Sequence, residues 1–170
     1  MPSHPPPDII ARLARVRLLI LDVDGVLTDG GITLDGADGE WKTFHVRDGV
    51  GLRLWREAGL AVAIVTGRSS AAVTRRAAEL GIDEVRQGVG NKLAAAEEIL
   101  RRMSLDWSEA AAIGDDLPDL PVVSRAGVGF AVADACRELR AAAALVTTHP
   151  GGRGAVREAV ERLLAARGGW

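Results

Sequence analysis

Residues 18–30 read Leu-Leu-Ile-Leu-Asp-Val-Asp-Gly-Val-Leu-Thr-Asp-Gly, and this stretch decides the fold and the candidate chemistry. A short apolar run that ends at turn residues is typical of a strand buried on both faces of a sheet. In open parallel sheets ligands bind beyond the carboxyl ends of the strands, which is where Asp22 and Asp24 fall. Side chains alternate along an extended segment, so these two carboxylates point the same way and Val23 points the other way. Such a pair can bind a divalent cation or share covalent and acid/base chemistry, whereas an isolated pair could simply be solvated.

The rest of the chain predicts an α/β fold with a doubly wound, Rossmann-like parallel sheet. Two β-rich runs, residues 30–35 and 40–46, flank a Gly/Asp turn and predict a small β-hairpin flap. A helix that opens at Asp48-Gly49 and ends at Gly59 follows them. From there strands alternate with helices, which implies right-handed βαβ units. The further strands are predicted at residues 60–65, 84–86, 110–113, 128–132 and 145–147. The further helices are predicted from a cap at Ser69 or Ser70 to residue 80, and at 92–103, 117–124, 136–142 and 156–166.

Length and composition indicate one folded domain and exclude several classes of function. The chain has 170 residues and a net charge of −2, which gives no general attraction to nucleic acid or to an anionic membrane. No apolar stretch is long enough to span a bilayer and the N-terminus lacks a signal-peptide core, so we expect a cytoplasmic protein. The lone Cys136 excludes an internal disulfide, and a small core residue is a more frequent role for it than a nucleophile. We expect a disordered proline-rich segment at residues 1–8 and a single domain at residues 9–170. The spacing of Ile9, Ile10 and Leu13 predicts a short lead-in helix over residues 8–15.

Four polar signals fall at a strand end or a helix start, and together they suit phosphoryl transfer. Asp22 is the candidate nucleophile, and Asp24 is the candidate general acid and later base. Thr66 and the main-chain N–H of the following Gly67 can hold phosphate oxygens at a strand-to-helix turn. The remaining two signals are Lys92, which supplies a fixed positive charge, and Asp115, which adds a third oxygen ligand for Mg²⁺.

The order DxDG, then Thr, then Lys, then Gly-Asp-Asp resembles the haloacid dehalogenase superfamily over nearly the whole chain after Pro7. The resemblance implies that Asp22 is the nucleophile and that Asp24 is the acid/base group, which also gives a main-chain carbonyl to the metal. It further implies that Asp115 is a direct metal ligand and that Asp116 lies behind the ligands. One helical turn on, Asp119 is expected either to orient Lys92 or the metal's waters, or to lie on a helix surface.

The gaps between these motifs are too short for the separate cap domain that many members of this superfamily carry. An open site stays wet, whereas phosphoryl transfer gains from the exclusion of water. Either the substrate is macromolecular or a neighbouring subunit closes the site, and we favour the second. The apolar residues of the hairpin suit an oligomer interface, although packing on their own domain is an equal alternative: Ile32, Leu34, Trp41 and Phe44.

A closer series of motifs resembles the 3-deoxy-D-manno-octulosonate 8-phosphate phosphatases, a cap-less, homotetrameric family in that superfamily. The motifs are DVDGVLTDG at residues 22–30, FHVRDGVG at 44–51, IVTGR at 64–68, QGVGNK at 87–92, GDDLPD at 114–119 and GGRGAVRE at 151–158. This resemblance implies a small phosphorylated keto-sugar acid as substrate, on the route to lipopolysaccharide. His45 departs from the asparagine expected there, and near relatives that act on nine-carbon keto-sugar acid phosphates leave the chain length open.

Three arginines are candidates for contact with the substrate, because a guanidinium matches the geometry of a carboxylate. Arg68 follows the phosphate turn, Arg47 precedes a helix, and Arg153 lies in a glycine-rich loop that could reach a neighbour's site. For Arg68 and Arg153 the alternative is a solvated surface position, and for Arg47 it is a capping role at the start of the helix. A non-catalytic oligomerisation module of the same fold is the rival to the enzyme, but it would be free to lose at least one of the motif residues.

Overall fold

The computed structural model describes residues 7–36 and 39–169, and its centre is a six-stranded sheet in which every pairing is parallel. The sheet strands, in the spatial order β5-β4-β1-β6-β7-β8, are Glu84–Arg86, Ala61–Val65, Leu18–Leu21, Ala110–Gly114, Val128–Ala131 and Leu145–Val146. Each of these strands lies within two residues of its predicted position, and the doubly wound parallel sheet is confirmed. Residues 1–6 of the predicted disordered segment lie outside the described residues.

Seven α-helices in the described part of the chain flank the sheet. They are α1 (Pro7–Arg15), α2 (Val46–Glu57), α3 (Ala71–Leu80), α4 (Lys92–Met103), α5 (Leu120–Arg125), α6 (Arg137–Ala142) and α7 (Ala155–Ala166). On one side α7 packs against α1 and α2, and on the other α5 packs against α4 and α6. None of the described helices is long and apolar enough to cross a membrane.

Local sequence explains where α3 and α4 begin and end. The side chain of Ser70 accepts a hydrogen bond from the N–H of Ala72, and that of Asn91 does the same for Ala94. Gly81 closes α3 in the left-handed conformation that glycine adopts most easily. The Asn91 cap fixes the start of α4, so Lys92 is the first residue of that helix.

Most helices begin and end within one residue of their predicted positions, but three regions depart from the prediction. The first is α1, which begins at Pro7, so residues 7 and 8 of the predicted disordered segment are helical. The second, α2, begins at Val46 rather than at Asp48, whose carboxylate accepts hydrogen bonds from the N–H groups of Gly154 and Arg157 at the start of α7. The predicted helix at 117–124 is a 3-10 turn, Leu117–Asp119, followed by α5, because two prolines there lack the N–H group of a regular helix.

The hairpin flap, residues 30–36 and 39–45, forms as predicted but with short strands. In it β2 (Thr33–Leu34) pairs antiparallel with β3 (Glu40–Trp41). Phe44 packs against the core of its own domain, under the guanidinium of Arg76. By contrast Leu34 and Trp41 are each 70% exposed in the single chain. The predicted apolar surface is therefore divided: Phe44 lies inside, while Leu34 and Trp41 are exposed on opposite faces of the flap, because Leu34 pairs with Glu40 and Thr33 pairs with Trp41.

Candidate active site

Strand register brings the sequence motifs to one edge of the sheet. Leu21, the last residue of β1, pairs with Ile64 of β4 and with Ile113 of β6. The residues that follow these three strands therefore meet in space, and a cavity of about 620 Å³ opens there. Its lining includes most of the predicted site residues, namely Asp22, Asp24, Thr66, Gly67, Arg68, Lys92, Asp115, Asp116 and Asp119.

Main-chain hydrogen bonds hold the loop after β1, residues 22–28, which is named the catalytic loop. The N–H groups of residues 26, 27 and 28 all donate to the carbonyl of Val23, at 3.2, 2.9 and 3.0 Å. Gly25 has a φ of +83°, and a Cβ there would lie 2.1 Å from Oδ2 of Asp115. Glycine is required at this position for both reasons, since the turn needs a positive φ and Asp115 occupies the space of a side chain.

Three carboxylates meet at the floor of the cavity beside one lysine. Oxygen atoms of Asp22, Asp115 and Asp119 lie within 4.8 Å of one another. Lys92 Nζ lies 2.9 Å from Asp22 Oδ1 and 2.6 Å from Asp119 Oδ1. The second oxygen of Asp119 accepts the N–H of Asp115 at 3.1 Å. Asp119 is thus a buried group that fixes Lys92, and the helix-surface alternative for it does not hold.

The carboxylates of the cluster are strongly perturbed. Burial, and then repulsion from Asp119, raises the pKa of Asp22 from 3.8 to about 6, against the attraction of Lys92. The same two causes raise the pKa of Asp115 to about 7. The pKa of Lys92 is also raised, because the attraction of Asp22 and Asp119 outweighs its burial. The folded protein therefore holds excess negative charge at this point, which a cation would relieve.

Asp24 lines the same cavity as Asp22 but lies outside the carboxylate cluster. Its carboxylate accepts a hydrogen bond from Lys42 of the hairpin flap, and Lys42 also contacts Glu40 Oε1 at 3.0 Å. Glu40 Oε2 in turn accepts a hydrogen bond from Arg68 at 2.6 Å. These two cations, Arg68 first, lower the pKa of Glu40 to about 2. The third carboxylate of the cluster is therefore Asp119, whereas Asp24 pairs with Lys42 of the hairpin flap.

The other predicted residues have different positions. Asp116 is exposed, and its side chain accepts the N–H of Leu117. Arg47 and Arg153 line a separate cavity beside α7 and not the one around Asp22. Arg153 Nη2 lies 3.6 Å from Asp29 Oδ2. Within a single chain, Arg68 is the one of the three candidate arginines that reaches the cavity of the carboxylates.

Sequence reasoning missed Lys42 and Glu40. The signal was present, because alternation along Glu40-Trp41-Lys42 puts Glu40 and Lys42 on one face of the strand and Trp41 on the other. Both residues could therefore have been predicted as site residues, because they lie on the inner face of a short hairpin next to the predicted active site.

The chain is similar to known hydrolases in both sequence and structure. The sequence profile of the haloacid dehalogenase-like hydrolase family matches residues 82–159. The chain is 47% identical over 161 residues to the 3-deoxy-D-manno-octulosonate 8-phosphate phosphatase KdsC of Escherichia coli K12, covering 95% of this chain and 86% of that one. It therefore belongs to the haloacid dehalogenase-like hydrolases, a class that the parallel sheet and the carboxylate cluster also fit.

Solved structures agree with this relationship. The 3-deoxy-D-manno-octulosonate 8-phosphate phosphatase of Moraxella catarrhalis, solved with magnesium, phosphate and the sugar acid KDO, superposes with a TM-score of 0.93 at 43% identity. That match covers 95% of this chain and 92% of the other. The phosphatase of the same name from Yersinia pestis gives a TM-score of 0.94 at 44% identity, covering 96% and 88%. Within its class, the chain belongs to the family of 3-deoxy-D-manno-octulosonate 8-phosphate phosphatases.

Proposed function

We propose that this protein hydrolyses 3-deoxy-D-manno-octulosonate 8-phosphate to the free keto-sugar acid and inorganic phosphate, a step in making lipopolysaccharide precursors. The observation that carries the proposal is the buried cluster of Asp22, Asp115 and Asp119 beside Lys92. A decayed, non-catalytic module would have no reason to keep buried, mutually repelling carboxylates at this edge. The relatives named above supply the class of substrate.

In this proposal Asp22 and Asp24 divide the chemistry between them. A carboxylate oxygen of Asp22 attacks phosphorus, and the bond from phosphorus to the sugar oxygen breaks while Asp24 gives that oxygen a proton. Asp24 then takes a proton from the water that cleaves the aspartyl-phosphate, which restores both groups. Lys92 balances negative charge on the phosphate oxygens, and Thr66 with the N–H of Gly67 binds them. The cavity lining contains all five residues.

The donor set fits a hard divalent cation, because carboxylate oxygens are the ligands that Mg²⁺ favours and burial leaves them with excess charge. We propose that Asp22, Asp115 and the main-chain carbonyl of Asp24 hold Mg²⁺, which would supply further neutralisation of the phosphate charge. Asp119 uses one oxygen for Lys92 and the other for the N–H of Asp115, so it orients its neighbours. Asp116 is not a direct metal ligand in this proposal, and its side chain accepts the N–H of Leu117.

The substrate's carboxylate is best matched by Arg68, whose side chain stays 45% exposed at the cavity while Glu40 anchors it. Arg47 and Arg153 lie away from this cavity, so any contact with substrate requires a second copy of the chain. We propose a homo-oligomer, a tetramer by family resemblance, in which a neighbour closes the site. The surface that we assign to that contact is the outer face of the hairpin flap, which carries the exposed Trp41.

Phosphate release from a panel of sugar phosphates tests the activity. We expect Mg²⁺-dependent release with a kcat/KM for the eight-carbon keto acid that exceeds those for nine-carbon acids and hexose phosphates. A preference for the nine-carbon acid would support the alternative substrate, and no release with any divalent metal would support the non-catalytic module. The Asp22→Asn variant is the matched control, because retained turnover would remove Asp22 as nucleophile.

Light scattering tests the oligomer independently of the chemistry. We expect a tetramer for the native chain and smaller species for Trp41→Asp, which puts a charge on the outer face of the hairpin flap. A fully active native monomer would contradict closure of the site by a neighbour.

A further inference from the structure

Lys42 follows β3 of the hairpin flap, and its ammonium group is almost completely buried. The side chain is 2% exposed, and its nitrogen lies between the carboxylates of Asp24 and Glu40. Asp24 lines the cavity of the carboxylate cluster, whereas Lys42 does not. Lys42 therefore contacts Asp24, the proposed general acid, on the side that faces away from the cavity.

Among the described residues, Lys42 is the side chain that donates a hydrogen bond to the Asp24 carboxylate. The cluster on the cavity floor gives Asp24 no comparable support, because Lys92 is occupied by Asp22 and Asp119. A general acid must present its proton within hydrogen-bond reach of the atom that receives it. The orientation of the Asp24 carboxyl group consequently depends on Lys42.

Glu40 fixes Lys42 in turn. Glu40 Oε1 lies 3.0 Å from the lysine nitrogen, while Oε2 accepts a hydrogen bond from Arg68 at the phosphate turn. The four side chains form a row of alternating charge, Asp24, Lys42, Glu40 and Arg68, that joins the catalytic loop to the turn after β4. The inner face of the hairpin flap is thereby tied to both sides of the cavity.

We propose that Lys42 is a positioning residue, which holds one oxygen of Asp24 so that the other faces the leaving oxygen of the substrate. This inference rests on the proposed phosphatase activity. In the step concerned, an oxygen of Asp22 bonds to phosphorus, the bond from phosphorus to the sugar oxygen breaks, and the proton of Asp24 passes to that oxygen. Without Lys42 the Asp24 side chain is free to turn away, and the leaving group departs without its proton.

A comparison of two leaving groups tests the role. A sugar alkoxide needs a proton to leave, whereas p-nitrophenolate leaves readily without one. For Lys42→Met we expect kcat/KM for the sugar phosphate to fall by about 100-fold or more, within the range that general acids contribute, and kcat/KM for p-nitrophenyl phosphate to fall by less than about 10-fold. Because kcat/KM reports the steps through cleavage of the ester bond, the later hydrolysis of the aspartyl-phosphate does not enter the comparison.

Three further variants separate positioning from general damage. Glu40→Gln keeps Lys42 beside Asp24 but weakens its anchor, so we expect the same selective loss on a smaller scale. Lys42→Arg keeps a positive donor and should recover part of the activity toward the sugar phosphate. Arg102→Met is the matched control, since Arg102 pairs with buried Glu84 at the start of β5, at the opposite edge of the sheet, and should change neither substrate.

Equal losses with both substrates would overturn the inference, since they would mean that Lys42 binds the phosphate group or only supports the fold. Unchanged kinetics of Lys42→Met would overturn it as well. If Lys42→Met does not fold, as judged by circular dichroism, the Glu40→Gln comparison decides by the same criterion. A native enzyme that releases phosphate from neither compound would overturn the proposed function itself, and this inference with it.

Discussion

Replacing the proposed nucleophile should make the metal-free protein more stable while it abolishes turnover. Burial and the repulsion of Asp119 raise the pKa of Asp22 from 3.8 to about 6, so the folded state binds its proton more tightly than the unfolded chain does. Stability from this group is then greatest at low pH and is lost as the pH rises from about 4 to about 6. The amide of the Asp22→Asn variant would be neutral at every pH and would escape that loss.

The size of the effect follows from the pKa. A rise from 3.8 to about 6 corresponds to about 3 kcal/mol at pH 8, and to roughly half of that at pH 5. For a domain of this size, 3 kcal/mol raises the melting temperature by roughly 6–12 °C. We therefore expect Asp22→Asn to be more stable than the native chain in urea denaturation with EDTA at pH 8, with a smaller gain at pH 5.

Magnesium and a surface variant complete the experiment. Mg²⁺ should stabilise the native chain, and should stabilise Asp22→Asn much less, because one of its proposed ligands is lost. Asp83→Asn removes an exposed carboxylate and should change stability by less than about 0.5 kcal/mol. A metal-free Asp22→Asn protein that is less stable than the native chain at pH 8, or a gain that does not change with pH, would refute the account of the site as a buried, repelling cluster.

Three other substitutions test the surroundings of the site. Lys92→Met leaves the carboxylates of Asp22 and Asp119 without their shared cation, so we expect a loss of about 3 kcal/mol at pH 8 in urea titration and at least a 1000-fold fall in phosphate release. Asp48→Ala removes the acceptor of both N–H groups at the start of α7, and should cost at least about 1 kcal/mol in the same titration. Gly151→Ala would place a Cβ 1.7 Å from the carbonyl of residue 25, so the catalytic loop must move; kcat/KM should fall roughly 100-fold with an unchanged circular dichroism spectrum.

The sheet and most helices were predictable because their signals are local. The apolar run before Asp22 predicts a strand that is buried on both faces of the sheet. Ser70 and Asn91 mark helix starts by the hydrogen bonds they accept, and Gly81 marks a helix end by its positive φ. The start of α2 was mispredicted for a nonlocal reason. Asp48 looks like a helix-opening residue, but its carboxylate serves α7, more than 100 positions away in sequence. A single sequence contains no sign of that partner.

The chemistry of the site was less predictable than its location. Spacing identified Asp22, Asp24, Lys92 and Asp115, since each follows a strand or opens a helix at the same edge of the sheet. Spacing could not tell which carboxylates would gather. Asp119 is buried in the cluster after the 3-10 turn at Leu117–Asp119, whereas Asp24 pairs with Lys42 of the hairpin flap. Both outcomes depend on tertiary contacts between segments with no fixed spacing.

The hairpin flap lies in the short gap between the first two motifs, and its two faces have different roles. Its inner face supplies Lys42 and Glu40 to the groups around the cavity, so the flap contributes charge to the site of its own chain. Its outer face carries Trp41, which alternation along β3 forces into solvent as long as Glu40 and Lys42 point inward. A one-residue slip in β3 would exchange the two faces and separate Asp24 from its lysine. The charged contacts to Asp24 and the exposure of Trp41 are therefore fixed by one register, and a variant that shifts this register should disturb both the proposed catalysis and the proposed subunit contact.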